Sequence, residues 1–276
     1  MINIITKREK KIIEKKTRGI GLTQNESNIL SKTIRPKLIE IQSIDAERLL
    51  IKIAYNQKGR AIENKIRKIV LENTSNVEAI ILCGSAIQTN YREYNDIDVI
   101  VALKKVLKQK EKYEVMRKIE KEGSLQGLKI DIQIYSKETI IHQYPYSPSL
   151  IYQLQDSKII YGKISIPKRI SLSSLDLRMK LDWSENIGSW ASGPYLYNAI
   201  RNALLVLLLM NKKVDNNKLK ESVANALGSD LITKLKNNKV SRVEKNRVLN
   251  YIKTLVSYLL DELKNPQWEK IAIERN

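Results

Sequence analysis

The sequence predicts an α+β protein: a small mixed β-sheet core with helices, preceded by a basic helical N-terminal extension and followed by an all-helical C-terminal domain. Two observations carry this expectation. Apolar residues recur at helical spacing up to residue 73, give way to three β-branched, strand-length runs between Val77 and Tyr135, and resume helical spacing after Pro167. The three runs alternate with helical stretches over short links, as in a mixed α/β sheet, and 276 residues with 42% hydrophobic content can bury a sizeable core. The expected divisions are 1–56, 57–166 and 167–276.

In chain order, residues 7–18 read as a short, very basic helix stopped by Gly19 and Gly21. Thr23 followed by Glu26 is a capping-box pattern that opens a second helix near 24–32, with Pro36 as punctuation after it. The pair resembles a helix-turn-helix only loosely, and a packing or acceptor-binding extension fits it better. Asp45 caps a helix over 46–56, and 60–73 is amphipathic, with Ile62, Ile66, Ile69 and Val70 on the face turned to the sheet. Residues 77–83 form an apolar strand, 85–92 a turn entering a short helix, and 97–103 a second strand. A charged helix over 107–122 leads through Gly123 and Gly127 to a strand over 128–135. Pro145 and Pro148 mark a loop, and 157–162 reads as a short edge strand. Helices over 173–190, 194–211, 216–236 and 241–263 complete the chain.

Composition narrows the chemistry. The longest apolar run, residues 203–210, falls well short of the roughly 20 residues that span a bilayer, and the charged residues 7–11 stand where a signal peptide is apolar, so no membrane is expected and the address is cytoplasmic. One cysteine, Cys83, excludes an internal disulfide, and one histidine, His142, excludes a Cys/His zinc site, so any metal must be held by carboxylates and water. The net charge of +19 implies a polyanionic partner. Residues 1–75 carry 17 basic and 8 acidic side chains, residues 163–276 carry 20 and 11, and residues 76–162 hold 12 and 11. The basic excess therefore flanks a nearly neutral centre.

That centre holds the chemistry-bearing residues. Gly84 and Ser85 end one strand, and Asp96 and Asp98 open the next. Side chains at i and i+2 of a strand share a face, so Asp96 and Asp98 converge, and Asp131 joins them if its strand is the neighbour. Hard divalent cations prefer carboxylate and phosphate oxygens, and two such ions clamp the attacking and leaving oxygens of an in-line displacement. Two Mg²⁺ ions are expected, with Mn²⁺ as a substitute; Asp98 would bridge them, Asp96 would serve the nucleotide-side ion and Asp131 the other, beside the attacking hydroxyl. Gly84 allows close backbone approach, and the Ser85 hydroxyl with amides at a helix start can hold phosphate. Arg178, Lys180 and Arg201 read as solvated helix charges in preference to cleft residues, and Glu185 as an unassigned surface carboxylate in preference to a base. His142 reads as a surface histidine, and Trp183, Trp190, Tyr195 and Tyr197 as core in preference to base-stacking rings.

Over residues 60–162 this composite resembles the nucleotidyltransferase superfamily, the DNA polymerase β-like fold that includes aminoglycoside nucleotidyltransferases, minimal antitoxin nucleotidyltransferases and tRNA-modifying toxins. The resemblance rests on Gly84, Ser85, Asp96, Asp98 and Asp131, and it implies that these positions cradle a triphosphate and bind the metals. Where relatives carry Arg-Gly this chain has Gln88-Thr89, and Arg92 remains as a phosphate contact. The expected activity is transfer of a nucleoside monophosphate from an NTP to an acceptor hydroxyl, with RNA, tRNA included, as the polyanionic acceptor. A partner protein, as in toxin–antitoxin pairs, and an aminoglycoside are the alternative acceptors, and a nucleic-acid-binding regulator using residues 7–37 is the non-enzymatic alternative.

Overall fold

The computed structural model describes residues 4–274, without the side chains of Ser43 and Arg48. The chain divides into two compact units, Met1–Tyr55 and Asn56–Asn276. Among the described residues no helix is long and apolar enough to cross a membrane.

The first unit is helical: α1 (Lys7–Thr17), α2 (Gln24–Ile29), α3 (Arg35–Ser43) and α4 (Ala46–Ile53). Both capping boxes form, Thr6 with Glu9 and Thr23 with Glu26, each satisfying two orphan N–H groups at a helix start. Lys37 donates to Glu9 at 2.8 Å and ties α3 to α1. That ion pair and the Thr6 amide hold the Glu9 carboxyl down to about 2. Pro36 does not end a helix. The path from α2 continues through a π turn at Leu30–Ile34 into α3, where Pro36 occupies the first turn. The wider turn absorbs the missing N–H and the ring that would otherwise clash with the preceding turn.

The second unit begins with α5 (Gln57–Asn73), β1 (Val77–Cys83), α6 (Gly84–Gln88), β2 (Ile97–Leu103), α7 (Gln109–Leu125) and β3 (Ile130–Ser136). It continues with α8 (Lys137–Gln143), α9 (Pro148–Gln155), β4 (Lys158–Gly162) and β5 (Arg169–Ser173). The strands β1 to β4 form one sheet in the order β3-β2-β1-β4. β1 runs antiparallel to both β2 and β4, whereas β2 and β3 are parallel, so the sheet is mixed. Alternation along the strands divides the core into two layers. Ile80, Leu82, Val99, Val101, Ile132 and Ile134 pack with Ile66, Ile69 and Val70 of α5 and Ile119 of α7. Ala79, Ile81, Cys83, Ile100 and Ala102 face the opposite way, into the C-terminal helices.

Those helices are α10 (Ser174–Glu185), α11 (Gly193–Met210), α12 (Asn216–Leu227), α13 (Ser229–Lys236) and α14 (Arg242–Glu262), and a last strand, β6 (Lys270–Glu274), comes after them. α11 is the central one, burying Leu196, Ala199, Ile200, Ala203, Leu204 and Leu205 among others. Three details depart from the sequence expectation. Gly228, at φ +77°, breaks the anticipated helix over 216–236 into α12 and α13. The anticipated loop around Pro145 and Pro148 is a 3-10 turn, Tyr144–Tyr146, followed by α9, because Pro148 sits at the first turn of α9 behind the N-cap Ser147. The C-terminal segment also carries a two-stranded antiparallel ribbon, β5 with β6, in addition to its helices.

Candidate active site

The site forms where β1 and β2 end. Cys83 pairs with Asp98, and in the parallel ladder Asp98 pairs with Asp131. Ile97, Val99, Ile130 and Ile132 point into the layer shared with α5 and α7, so Asp98 and Asp131 project from the opposite face, toward the C-terminal helices. Gly84 has φ +73°, and a Cβ placed on it would overlap the Asp98 carboxylate. The turn therefore needs glycine twice, once for its backbone and once for the space Asp98 occupies.

Burial pushes the Asp98 carboxyl up to about 6, reinforced by the charges of Asp96 and Asp131 and partly offset by Arg201. Burial, with Asp98 and Asp131 nearby, also pushes the Cys83 thiol well above its ordinary range, so it stays a neutral strand-end residue. Asp96 lies 3.6 Å from Lys129 in a solvent-facing pair. Among the described residues no three His, Cys, Asp or Glu side chains are grouped closely enough to chelate one ion as they stand.

A cleft of about 460 Å³ opens over this strand end. Gly84, Ser85, Asp96 and Asp98 line one side, and Lys180, Arg201, Lys220 and Lys236 are among the residues lining the other. Lys180 is not a solvated helix charge. It donates to the Ser149 hydroxyl at 2.7 Å, and burial, with help from Arg201, pushes its ammonium down to about 8. Sequence reasoning misses Lys180 and Arg201 because a charged helix position looks the same whether it meets water or a cleft; only the packing of α10 on α9 and α11 decides it.

The floor of the cleft is polar and ordered. Asn216 of α12 donates both amide hydrogens, to the Tyr152 carbonyl at 2.9 Å and to Asp156 at 3.1 Å. Gln88 of α6 reaches the same Asp156 carboxylate at 3.4 Å, so the phosphate-side helix and α12 meet on one acid. Behind the site, Tyr91 and Asn90 both hold left-handed backbone, at φ 59° and 50°. The Tyr91 hydroxyl donates to Glu63 at 2.9 Å, and Lys158 of β4 donates to the same carboxylate at 2.7 Å. These bonds fix the loop that delivers Asp96.

Other predicted residues lie elsewhere. Asp131 holds its register position beside Asp98 but is exposed and outside the cleft lining, as is Arg92. Arg178 and Glu185 are exposed on α10 and likewise outside it, and His142 is exposed on α8. Tyr197 lines the cleft under the Lys236 ammonium, 4.8 Å from its ring centre. Trp183 and Trp190 are not core residues: both are exposed, because they fall on the outer side of the α10–α11 pair whose inner side is filled by Leu177, Leu181, Leu196 and Ile200.

Residues 64–157, which contain the strand ends, the Gly84 turn and all three aspartates, match the family described as polymerase beta nucleotidyltransferase. The chain carries a nucleotidyltransferase domain. No protein of curated function matches the chain. Among solved structures, the chain is similar to the complex of a tri-AMPylated Shewanella oneidensis HEPN toxin with its MNT antitoxin, at 24% identity and a TM-score of 0.27 over 38% of this chain and 73% of that one. It is also similar to a toxin–antitoxin with AMP-PNP, at 24% identity and a TM-score of 0.29 over 37% of this chain and 73% of that one. The spectinomycin adenyltransferase AAD(9) of Enterococcus faecialis, solved with ATP and spectinomycin, is similar at 17% identity and a TM-score of 0.49, covering 75% of this chain and 99% of that one.

Proposed function

We propose that this nucleotidyltransferase moves a nucleoside monophosphate from an NTP to a hydroxyl of RNA, tRNA included, with divalent metal at Asp96, Asp98 and Asp131. The observation that carries the proposal is the opposition of charges across one cleft, carboxylates on the strand end facing cations on the helices. The donor set is all carboxylate, and the Gly84 turn makes room for the Asp98 carboxylate in the cleft wall, so the residues suit hard divalent cations such as Mg²⁺ or Mn²⁺. When bound, such ions neutralise the triphosphate and lower the pKa of the attacking hydroxyl.

The protein's own groups supply the rest. Ser85 and the backbone at Gly84 hold phosphate on the strand side, while Lys180 and Arg201 meet its charge from α10 and α11. The acceptor oxygen attacks the α-phosphorus, the bond to the bridging oxygen of the β-phosphate breaks, and pyrophosphate leaves toward the cations. Asp131, exposed at the edge of the aspartate group, receives the hydroxyl proton. The ordered floor through Asn216 and Asp156 keeps the two walls in register.

Polyanionic RNA suits an acceptor route walled by Lys180, Lys220 and Lys236, which would repel a polycation such as an aminoglycoside. Incubation with each labelled NTP, Mg²⁺ and total cell extract, followed by separation of RNA, protein and small molecules, tests this reading. Label is expected on RNA, and Asp98→Ala is expected to abolish it. Label on protein or on a small polycation would move the acceptor; label persisting in Asp98→Ala would remove the mechanism.

A further inference from the structure

Two of the three tryptophans of the chain lie on its surface, Trp183 exposed by 70% and Trp190 by 66%. They flank Tyr195: the Trp183 and Tyr195 rings are 6.3 Å apart and nearly parallel at 23°, and Trp190 meets Tyr195 edge-on at 5.2 Å. Tyr195 also donates its hydroxyl to the Trp183 carbonyl at 3.4 Å, which fixes the ring against α10. Met179, one turn before Trp183 and 68% exposed, lengthens the same strip. Exposed indoles gathered around one tyrosine are unusual on a surface with no partner.

The position of this ledge is set by helical spacing. Trp183 stands one turn from the cleft residue Lys180 on α10, and Tyr195 one turn from the cleft residue Asn198 on α11. The two helices are joined by the bond from the Ser184 hydroxyl to the Ala199 carbonyl at 3.1 Å, so ledge and cleft share a frame. We infer that Trp183, Tyr195 and Trp190 form a stacking platform for unpaired bases of the RNA acceptor, beside the cleft into which its reacting hydroxyl enters. The inference rests on the proposal of an RNA acceptor. Unpaired strands are held by a combination of aromatic faces and cationic grooves, since every base has a π-face and every link a phosphate. Residues 163–276, which include the ledge, carry 20 basic against 11 acidic side chains.

The third tryptophan, Trp268, is partly buried with its indole nitrogen shielded, so the change in fluorescence on binding a surface ligand reports mainly on the ledge. Titration of the full chain with an unstructured RNA 12-mer is expected to quench it. Trp183→Ala with Trp190→Ala should weaken binding of the same RNA, followed through an end label, by about tenfold or more, while Trp183→Phe with Trp190→Phe stays within about threefold. Equal RNA affinity in wild type and the alanine pair, with unchanged thermal unfolding, would overturn the platform, as would quenching by an aminoglycoside and not by RNA. Label transfer to the RNA is scored separately. RNA that binds through the tryptophans yet never accepts label would overturn the acceptor reading alone; RNA that accepts label equally from wild type and the alanine pair, at RNA concentrations well below saturation, would overturn the platform alone.

Discussion

At Asp98, burial and two like charges act on one carboxyl, raising it from 3.8 to about 6. The folded protein thus holds this proton more tightly than the unfolded chain, so stability falls as pH rises between those values and the penalty is complete above the higher one. In metal-free protein at pH 8, Asp98→Asn should unfold at higher denaturant, by about 1–3 kcal/mol after allowance for solvent screening, and the two proteins should converge at acid pH. Magnesium should stabilise the wild type selectively. Lys180 gives the opposite test. Its ammonium, pushed down to about 8, loses its proton as pH rises, so nucleotide affinity should fall through that range; Lys180→Met should lose about tenfold in affinity and this pH dependence with it, measured by nucleotide titration. The two residues differ in legibility for a physical reason. Strand alternation announces where Asp98 points, whereas the environment of Lys180 depends on Ser149 and Arg201, distant in sequence and joined only by packing.

Elements locate these groups, and the β1–α6 turn is the most constrained of them. Gly84→Ala places a side chain on left-handed backbone, at roughly 1–2 kcal/mol, and drives its Cβ into the Asp98 carboxylate. Label transfer should be lost even where the variant still folds, as circular dichroism would show. The strands, α5 and α7 are legible in the sequence because long β-branched runs and an apolar helix stripe each fit one period. β5 and β6 are not, since five-residue strands carry too few alternations to outweigh the helices around them, and their pairing spans a hundred residues. Pro148 misleads for a related reason: proline marks loops and first turns alike, and the Ser147 cap that distinguishes them reads as a turn residue too.

On the scale of the molecule, charge and architecture divide the work: a near-neutral sheet carries the aspartates, and basic segments surround it in sequence. RNA affinity should fall steeply with salt, log K against log salt having a slope of about −0.7 per neutralised phosphate, and replacing any one cleft lysine should flatten it by about one such increment. Residues 56–276 expressed alone should unfold in one cooperative transition, because that unit holds both layers of the core. Composition foretells the charge division; it cannot foretell that the exposed indoles belong outside, which depends on which sides of α10 and α11 face each other. The β5–β6 ribbon has a mechanical side. Its register sets Arg169 opposite Glu274 and Ser173 opposite Lys270, so the ribbon works as a clasp that closes the stretch of chain carrying α10 to α14 on itself, with Ile170, Leu172, Ile271 and Ile273 fastening it to the core.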